Sequence, residues 1–143
     1  MRLELLYRIR FTYPEGWVTG LGGDWERHFY IAQGLCEGKI HGRFRGANHA
    51  LRRPDGTFQP DFRAVIETDD GATIMFEWHG YGRAYPAGRR QIVGAVFHSS
   101  DHERYQRLND VVCVCTGEVR ASDGESPDLI LDVAELIWEE LLE

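Results

Sequence analysis

Glu77, His79 and Tyr81 recur at every second residue of one run, and Asp61, Arg63 and Glu67 share that parity in the run before it. Two-residue spacing puts each set on one face of a β-strand. A carboxylate beside an imidazole can pass a proton, a phenol can donate to a developing oxyanion, and a guanidinium can hold a carboxylate. Together they suit isomerisation, cyclisation, dehydration or retro-aldol cleavage of a small carbonyl compound without a cofactor. On this reading Glu67, Glu77, His79 and Tyr81 are the catalytic candidates. Asp61, Arg63, Arg83, Asn48, His49, Trp78, His98 and Tyr105 are the ligand-binding candidates. The competing reading is an ordinary solvent face crossed by ion pairs.

The element that must position these groups is residues 61–83, DFRAVIETDDGATIMFEWHGYGR. Apolar and polar residues alternate, break at Asp69-Asp70-Gly71, and alternate again, which predicts a long antiparallel hairpin. Glycine in the break supplies the positive φ that a tight turn needs. Phe62, Ala64, Ile66, Ile74, Phe76 and Trp78 fall on the face opposite the charges. The polar face either meets water or lines the mouth of a barrel, where charges must be paired with each other or with a ligand.

Other chemistries find less support. His28, His41, His49, His79 and His98 are scattered with no HxH or HExxH spacing, so no metal site is expected. Cys113 has apolar strand neighbours, which raise a thiol pKa rather than lower it. Ser99 and Ser100 lie beside His98 and Asp101 without a GxSxG elbow. The glycine-rich TGLGGD at 19–24 lacks the GKS/T of a phosphate loop and reads as a plain loop. Trp17, Trp25, Trp78 and Trp138 read as core or rim anchors.

Along the chain, residues 2–13 alternate with Leu3, Leu5, Tyr7, Ile9 and Phe11 on one face, and Pro14 and Gly16 end the run. A second strand is expected over 25–36, with His28, Tyr30 and Ala32 on one face, and a third over 39–45. A loop at 46–60 carries Pro-Asp-Gly turn chemistry. After the hairpin come a turn at 84–90 and a strand at 91–99. A short helix is expected over 100–110, with Ser100 and Glu103 as a capping box and Tyr105 and Leu108 reaching the core. Another strand follows at 111–119, then a polar linker. The tail from 129 is helical in composition yet carries apolar residues at strand spacing as well.

The chain has 143 residues, 43% of them apolar, which suits one globular domain over 1–143. A net charge of −7 argues against nucleic-acid binding. The basic residues are almost all arginine. Cys36, Cys113 and Cys115 have no metal spacing, and thiols of this kind suit a cytoplasmic location. No apolar run reaches the ~18–20 residues of a membrane span, and the first residues do not read as a signal peptide.

Three stretches carry a resemblance: LELLYRIRFTYPEG, PDFRAVIETDDGATI and ERYQRLNDVVCVCTGEVR. They resemble the bacterial proteins grouped as domain-of-unknown-function family 3237, and the likeness spans nearly the whole chain. It implies an all-β fold, a single closed antiparallel β-barrel of about eight strands with one short helix. That barrel would be similar to the calycin and allene-oxide-cyclase-like barrels. It also implies that 129–137 is a strand. The family pattern is departed from at Gly46-Ala47-Asn48-His49 and Trp78-His79-Gly80-Tyr81. Three functions remain open: a small-molecule-binding barrel with a polar lumen, a cofactor-free isomerase, cyclase or lyase, and a structural homodimer without ligand whose polar face is an interface. The expected partner is a small molecule, with neither nucleic acid nor membrane.

Overall fold

The computed structural model describes residues 1–85, 89–120 and 127–143, with Tyr85 described by its backbone alone. The long strands are β1 (Arg2–Gly22), β2 (Trp25–Gly38), β3 (Gly42–Asn48), β6 (Asp61–Thr68), β7 (Thr73–Tyr85), β8 (Arg89–Ser99), β9 (Cys113–Arg120) and β10 (Asp128–Ile137). Two short strands, β4 (Leu51–Arg52) and β5 (Phe58–Gln59), lie between β3 and β6 in sequence. Antiparallel pairing runs β1-β10-β9-β8-β7-β6-β3-β2 and returns to β1, closing a ring of eight strands among the described residues. The β4–β5 ribbon bridges β2 to β7 at one end, which we call the mouth.

The hairpin forms as its alternation predicts. β6 and β7 pair from Asp61 opposite His79 to Glu67 opposite Thr73, and Gly71 turns with a φ of 86°. Its apolar face is the inner one: Phe62, Ile66, Ile74, Phe76 and Trp78 are buried, while Arg63, Glu67 and Tyr81 are exposed. Burying each large apolar side chain gains about 1.5–3 kcal/mol, whereas burying unpaired charges costs several. The charged face therefore goes to water, which corrects the lumen placement.

The tail is strand, not helix. Asp128–Ile137 fills the gap between β1 and β9, and closure of the ring outweighs helix propensity. A register shift between Leu5 and Tyr7 turns β1 over, so Leu6 is buried while Leu3 and Leu5, expected on the inner face, are exposed. β1 also continues past Pro14 through a second register shift, pairing with β2 as far as Gly22. Four of the six residues of the glycine-rich loop expected at 19–24 are thus strand, because a pairing partner is present. The short helix shrinks to a 3-10 turn, Gln106–Asp110, with Tyr105 and Leu108 buried as expected. The capping box does not form: Ser100 instead donates to the Thr73 carbonyl and receives the His102 N–H, and no side chain caps the turn. Cys36, Cys113 and Cys115 are buried free thiols. Of the four tryptophans only Trp78 is core; Trp17 and Trp138 are exposed. Of the turn expected at 84–90, residues 84 and 85 belong to β7 and residues 89 and 90 to β8, because they pair with each other; 86–88, and 121–126 of the polar linker, lie outside the described residues. Among the described residues no helix is long and apolar enough to cross a membrane.

Candidate functional site

An eight-stranded barrel either fills with side chains or leaves room for one small ligand. This one does both at different heights. Phe11, Phe44, Phe62 and Phe76 pack ring to ring at 5.2–6.2 Å through its middle. Trp78 tilts onto Phe62 at 5.4 Å and sits at the top of that stack. Towards the mouth, a cavity of about 390 Å³ is lined by Tyr13, Tyr30, Asn48, Phe58, Trp78 and Arg90, with Ile92, Leu129 and others behind them. Larger concavities of about 510 and 550 Å³ are bounded mainly by side chains of the outer surface and the C-terminal tail.

β2 supplies the chemistry. Glu26, His28 and Tyr30 alternate on the face that continues inward as Ala32 and Cys36. His28 Nε2 is 3.2 Å from Glu26 Oε1, and His28 Nδ1 is 2.6 Å from the Tyr30 hydroxyl. An ionised carboxylate only accepts, so Nε2 carries the hydrogen and Nδ1 accepts the hydrogen bond that the Tyr30 hydroxyl donates. The array runs from a carboxylate through a buried imidazole to a phenol at the cavity wall. Arg52 of β4 lies 3.6 Å from the same Glu26 oxygen, and Phe58 of β5 meets the His28 ring edge-on at 4.9 Å.

Tyr30 is clamped. Its ring stacks on Tyr13 at 4.4 Å and 17°, and Asn48 donates to the Tyr13 hydroxyl at 3.0 Å. Asn48 Oδ1 also accepts the Asp61 N–H, which ties the ends of β3 and β6 together. Gly16 lies opposite Tyr30 in the ladder, and a Cβ there would sit 2.5 Å from its ring. Burial raises the Tyr30 pKa; the Arg90 charge works against this and Glu26 adds to it. The phenol therefore stays protonated at neutral pH, the form that donates. Burial raises Tyr13 as well. Trp78 Nε1 is buried with no acceptor among the described residues.

Residues 1–136 match the family model for a protein of unknown function, DUF3237. The chain belongs to the DUF3237 family. No curated protein matches it. Similar solved structures include a β-barrel-like protein from Acinetobacter baumannii AYE, at 23% identity and TM-score 0.82 over 94% of each chain. A protein of unknown function from Clostridium acetobutylicum ATCC 824 has 19% identity and TM-score 0.83, over 96% of this chain and all of its own. A protein described as an enzyme, from Penicillium herquei, has 21% identity and TM-score 0.68, over 92% of this chain and 93% of its own. At these identities the likeness is one of fold.

In this DUF3237 member the residues singled out from the sequence do not converge. Asn48 and Trp78 line the mouth cavity. Glu77, His79, Asp61 and Arg63 form a cluster on the outer wall, with Arg63 3.0 Å and His79 2.8 Å from the Glu77 carboxylate. His79 is also 3.7 Å from Asp61. Glu67 is held by Arg45 at 2.7 Å, which lowers its pKa and keeps it charged. Tyr81 faces outward with Arg83 over its ring, and His49 packs outside against Phe29. His98 lies at the closed end, hydrogen-bonded to Tyr7. Tyr105 donates to Asp70 beside the hairpin turn. The middle of the lumen is filled by aromatic rings, with the His98–Tyr7 pair below them and the other polar groups at the mouth, so the expected polar lumen is corrected to a polar rim over a largely apolar interior. Among the described residues no three His, Cys, Asp or Glu side chains converge as metal ligands.

Sequence reasoning passed over Glu26, Arg90 and the partnership of His28 with Tyr30. The signal was present: polar residues at positions 26, 28 and 30 on a face that turns apolar at Ala32 mark where a strand leaves the core.

Proposed function

We propose that this DUF3237 member binds a small carbonyl compound in the mouth cavity and moves a proton on it, as a cofactor-free isomerase, cyclase or lyase. The observation that carries the reading is the Glu26–His28–Tyr30 array, with its phenol on the cavity wall and its imidazole behind. As the C–H bond beside the substrate carbonyl breaks, its proton goes to the Tyr30 oxygen and its electron pair to the enolate. The phenol's own proton passes to His28 Nδ1, and Glu26 balances the imidazolium. Returning the proton to another carbon isomerises the substrate; losing a leaving group from the enolate gives the lyase outcome. Tyr30 is the catalytic residue, and His28 and Glu26 position and charge it. That a fold neighbour is described as an enzyme is consistent with chemistry on such a barrel.

The test is proton exchange. In D2O, the α-protons of 2-tetralone, a flat aromatic ketone, are followed by 1H NMR with and without protein. The protein is expected to speed exchange above the buffer rate, and Tyr30→Phe to remove roughly 10²–10⁴-fold of that acceleration. Exchange at the buffer rate, or full exchange by Tyr30→Phe, would overturn the proposal.

A further inference from the structure

Arg90 sets a condition on the ligand that the proton relay does not. It occupies the inward parity of β8, in step with Ile92, Val96 and His98, at the mouth end. Its guanidinium lies over the Phe58 ring at 4.6 Å, and Nη1 donates to the Gly56 carbonyl at 3.2 Å. Among the described residues no carboxylate stands within ion-pairing distance of it. Arg52, by contrast, has Glu26. A guanidinium has five N–H donors, so among the described residues most of its capacity is unspent beside the cavity. A half-buried cation without a counter-ion is costly unless something else supplies the charge. Burial and the Arg52 charge both weaken its hold on its proton, and an anion nearby would offset both.

The walls limit the rest of the ligand. Tyr30, Phe58 and Trp78 present ring faces and edges, and ring against ring favours flat conjugated bodies over flexible chains. A volume of about 390 Å³ is at the small end of ligand cavities. Resting on the reading of the mouth cavity as the site, we propose that its ligand is a flat aromatic acid of one or two rings. Its carboxylate or equivalent oxyanion meets Arg90, and its ring lies against Tyr30 and Trp78. An aromatic body then delivers its carbonyl to Tyr30 while the anion fixes its orientation.

Isothermal titration calorimetry with 2-naphthoate and with 2-naphthamide, its neutral analogue, separates charge from shape. 2-Naphthoate is expected to bind about 10-fold tighter or better, the scale of one charge-assisted hydrogen bond. Added NaCl should weaken the carboxylate and leave the amide unmoved. Arg90→Met should erase the preference. Benzoate should bind more tightly than cyclohexanecarboxylate, which has the charge without the flat ring. Equal affinity of the two naphthyl probes for the unaltered protein overturns the inference, whether or not the variant folds. So does a preference that survives Arg90→Met, or no binding of either probe. Exchange of 2-tetralone without a naphthoate preference sinks this inference alone; a naphthoate preference without exchange sinks the catalytic reading alone.

Discussion

At the closed end of the barrel, His98 is buried with the Tyr7 hydroxyl 2.6 Å from Nε2 and the Cys113 sulfur 3.9 Å from Nδ1. Neither partner is an anion, so among the described residues these contacts do not compensate a charge on the ring. Burial pushes the His98 pKa down from 6.5 to about 4. An unfolded histidine titrates near 6.5. The native state refuses a proton that the unfolded state accepts. Its stability is therefore full above about pH 6.5 and falls as pH drops towards 4. At roughly 1.4 kcal/mol per pH unit, the loss across that window is about 3 kcal/mol. That is a large share of the ~5–15 kcal/mol typical of a domain. Carboxylates whose pKa an arginine lowers, such as Asp132 beside Arg8, keep their contribution down to about pH 4 and lose it below. The two effects thus occupy separate windows. Urea unfolding followed by far-UV circular dichroism at pH 7.0, 6.0, 5.0 and 4.5 measures the slope. His98→Gln retains an acceptor for Tyr7 and removes the titration, so its stability should start lower and stay level across the window. A level parent, or a variant with the parent's slope, would refute the reasoning.

Three more outcomes are expected. Gly16→Ala places a methyl group against the Tyr30 ring, which the Tyr13 stack and the His28 hydrogen bond hold in place. It should slow 2-tetralone exchange at least about tenfold while circular dichroism still reports a folded barrel. Glu67→Gln and His79→Ala alter only the outer wall and should leave exchange within about twofold of the parent; a loss as large as that of Tyr30→Phe would restore the hairpin face as the site. Burial pushes Cys36 and Cys115 up to about 12 and Cys113 up to about 11. Iodoacetamide at pH 8 should label none of them in the native protein and all three in urea, as counted by mass spectrometry.

Much of the architecture was legible because a closed barrel repeats one rule. The alternation over 61–83 gave the faces of β6 and β7 correctly, and the same rule gave the parity of β2. It could not show where parity flips, since the shift at Leu5–Tyr7 comes from a bulge that pairing with β10 imposes. The tail was ambiguous because Leu, Ala and Glu favour helix locally, while the strand is dictated by neighbours more than a hundred residues away in β1. The site was missed for a related reason. Charge density drew attention to Glu77 and His79, yet density on one face of a strand marks water as readily as a lumen. The informative residues were the few polar ones on an inward parity: His28 and Tyr30 above Ala32, and Arg90 above Ile92. The turn expected at 84–90 includes Arg90, which separates it from the strand that aims it inward.

The claim that the mouth cavity is the site is tested most directly by the four indole N–H signals of the 1H–15N spectrum, with Trp78 assigned through Trp78→Phe. Trp78 lines the cavity and is buried, whereas Trp17 and Trp25 lie on the exposed part of the β1–β2 hairpin and Trp138 is on the exposed tail. On addition of 2-tetralone, the account predicts that the Trp78 signal moves in a saturable way while the other three stay in place. A stationary Trp78 beside a shifting Trp17 or Trp25 would contradict it, and would move the binding surface out of the barrel and onto that hairpin.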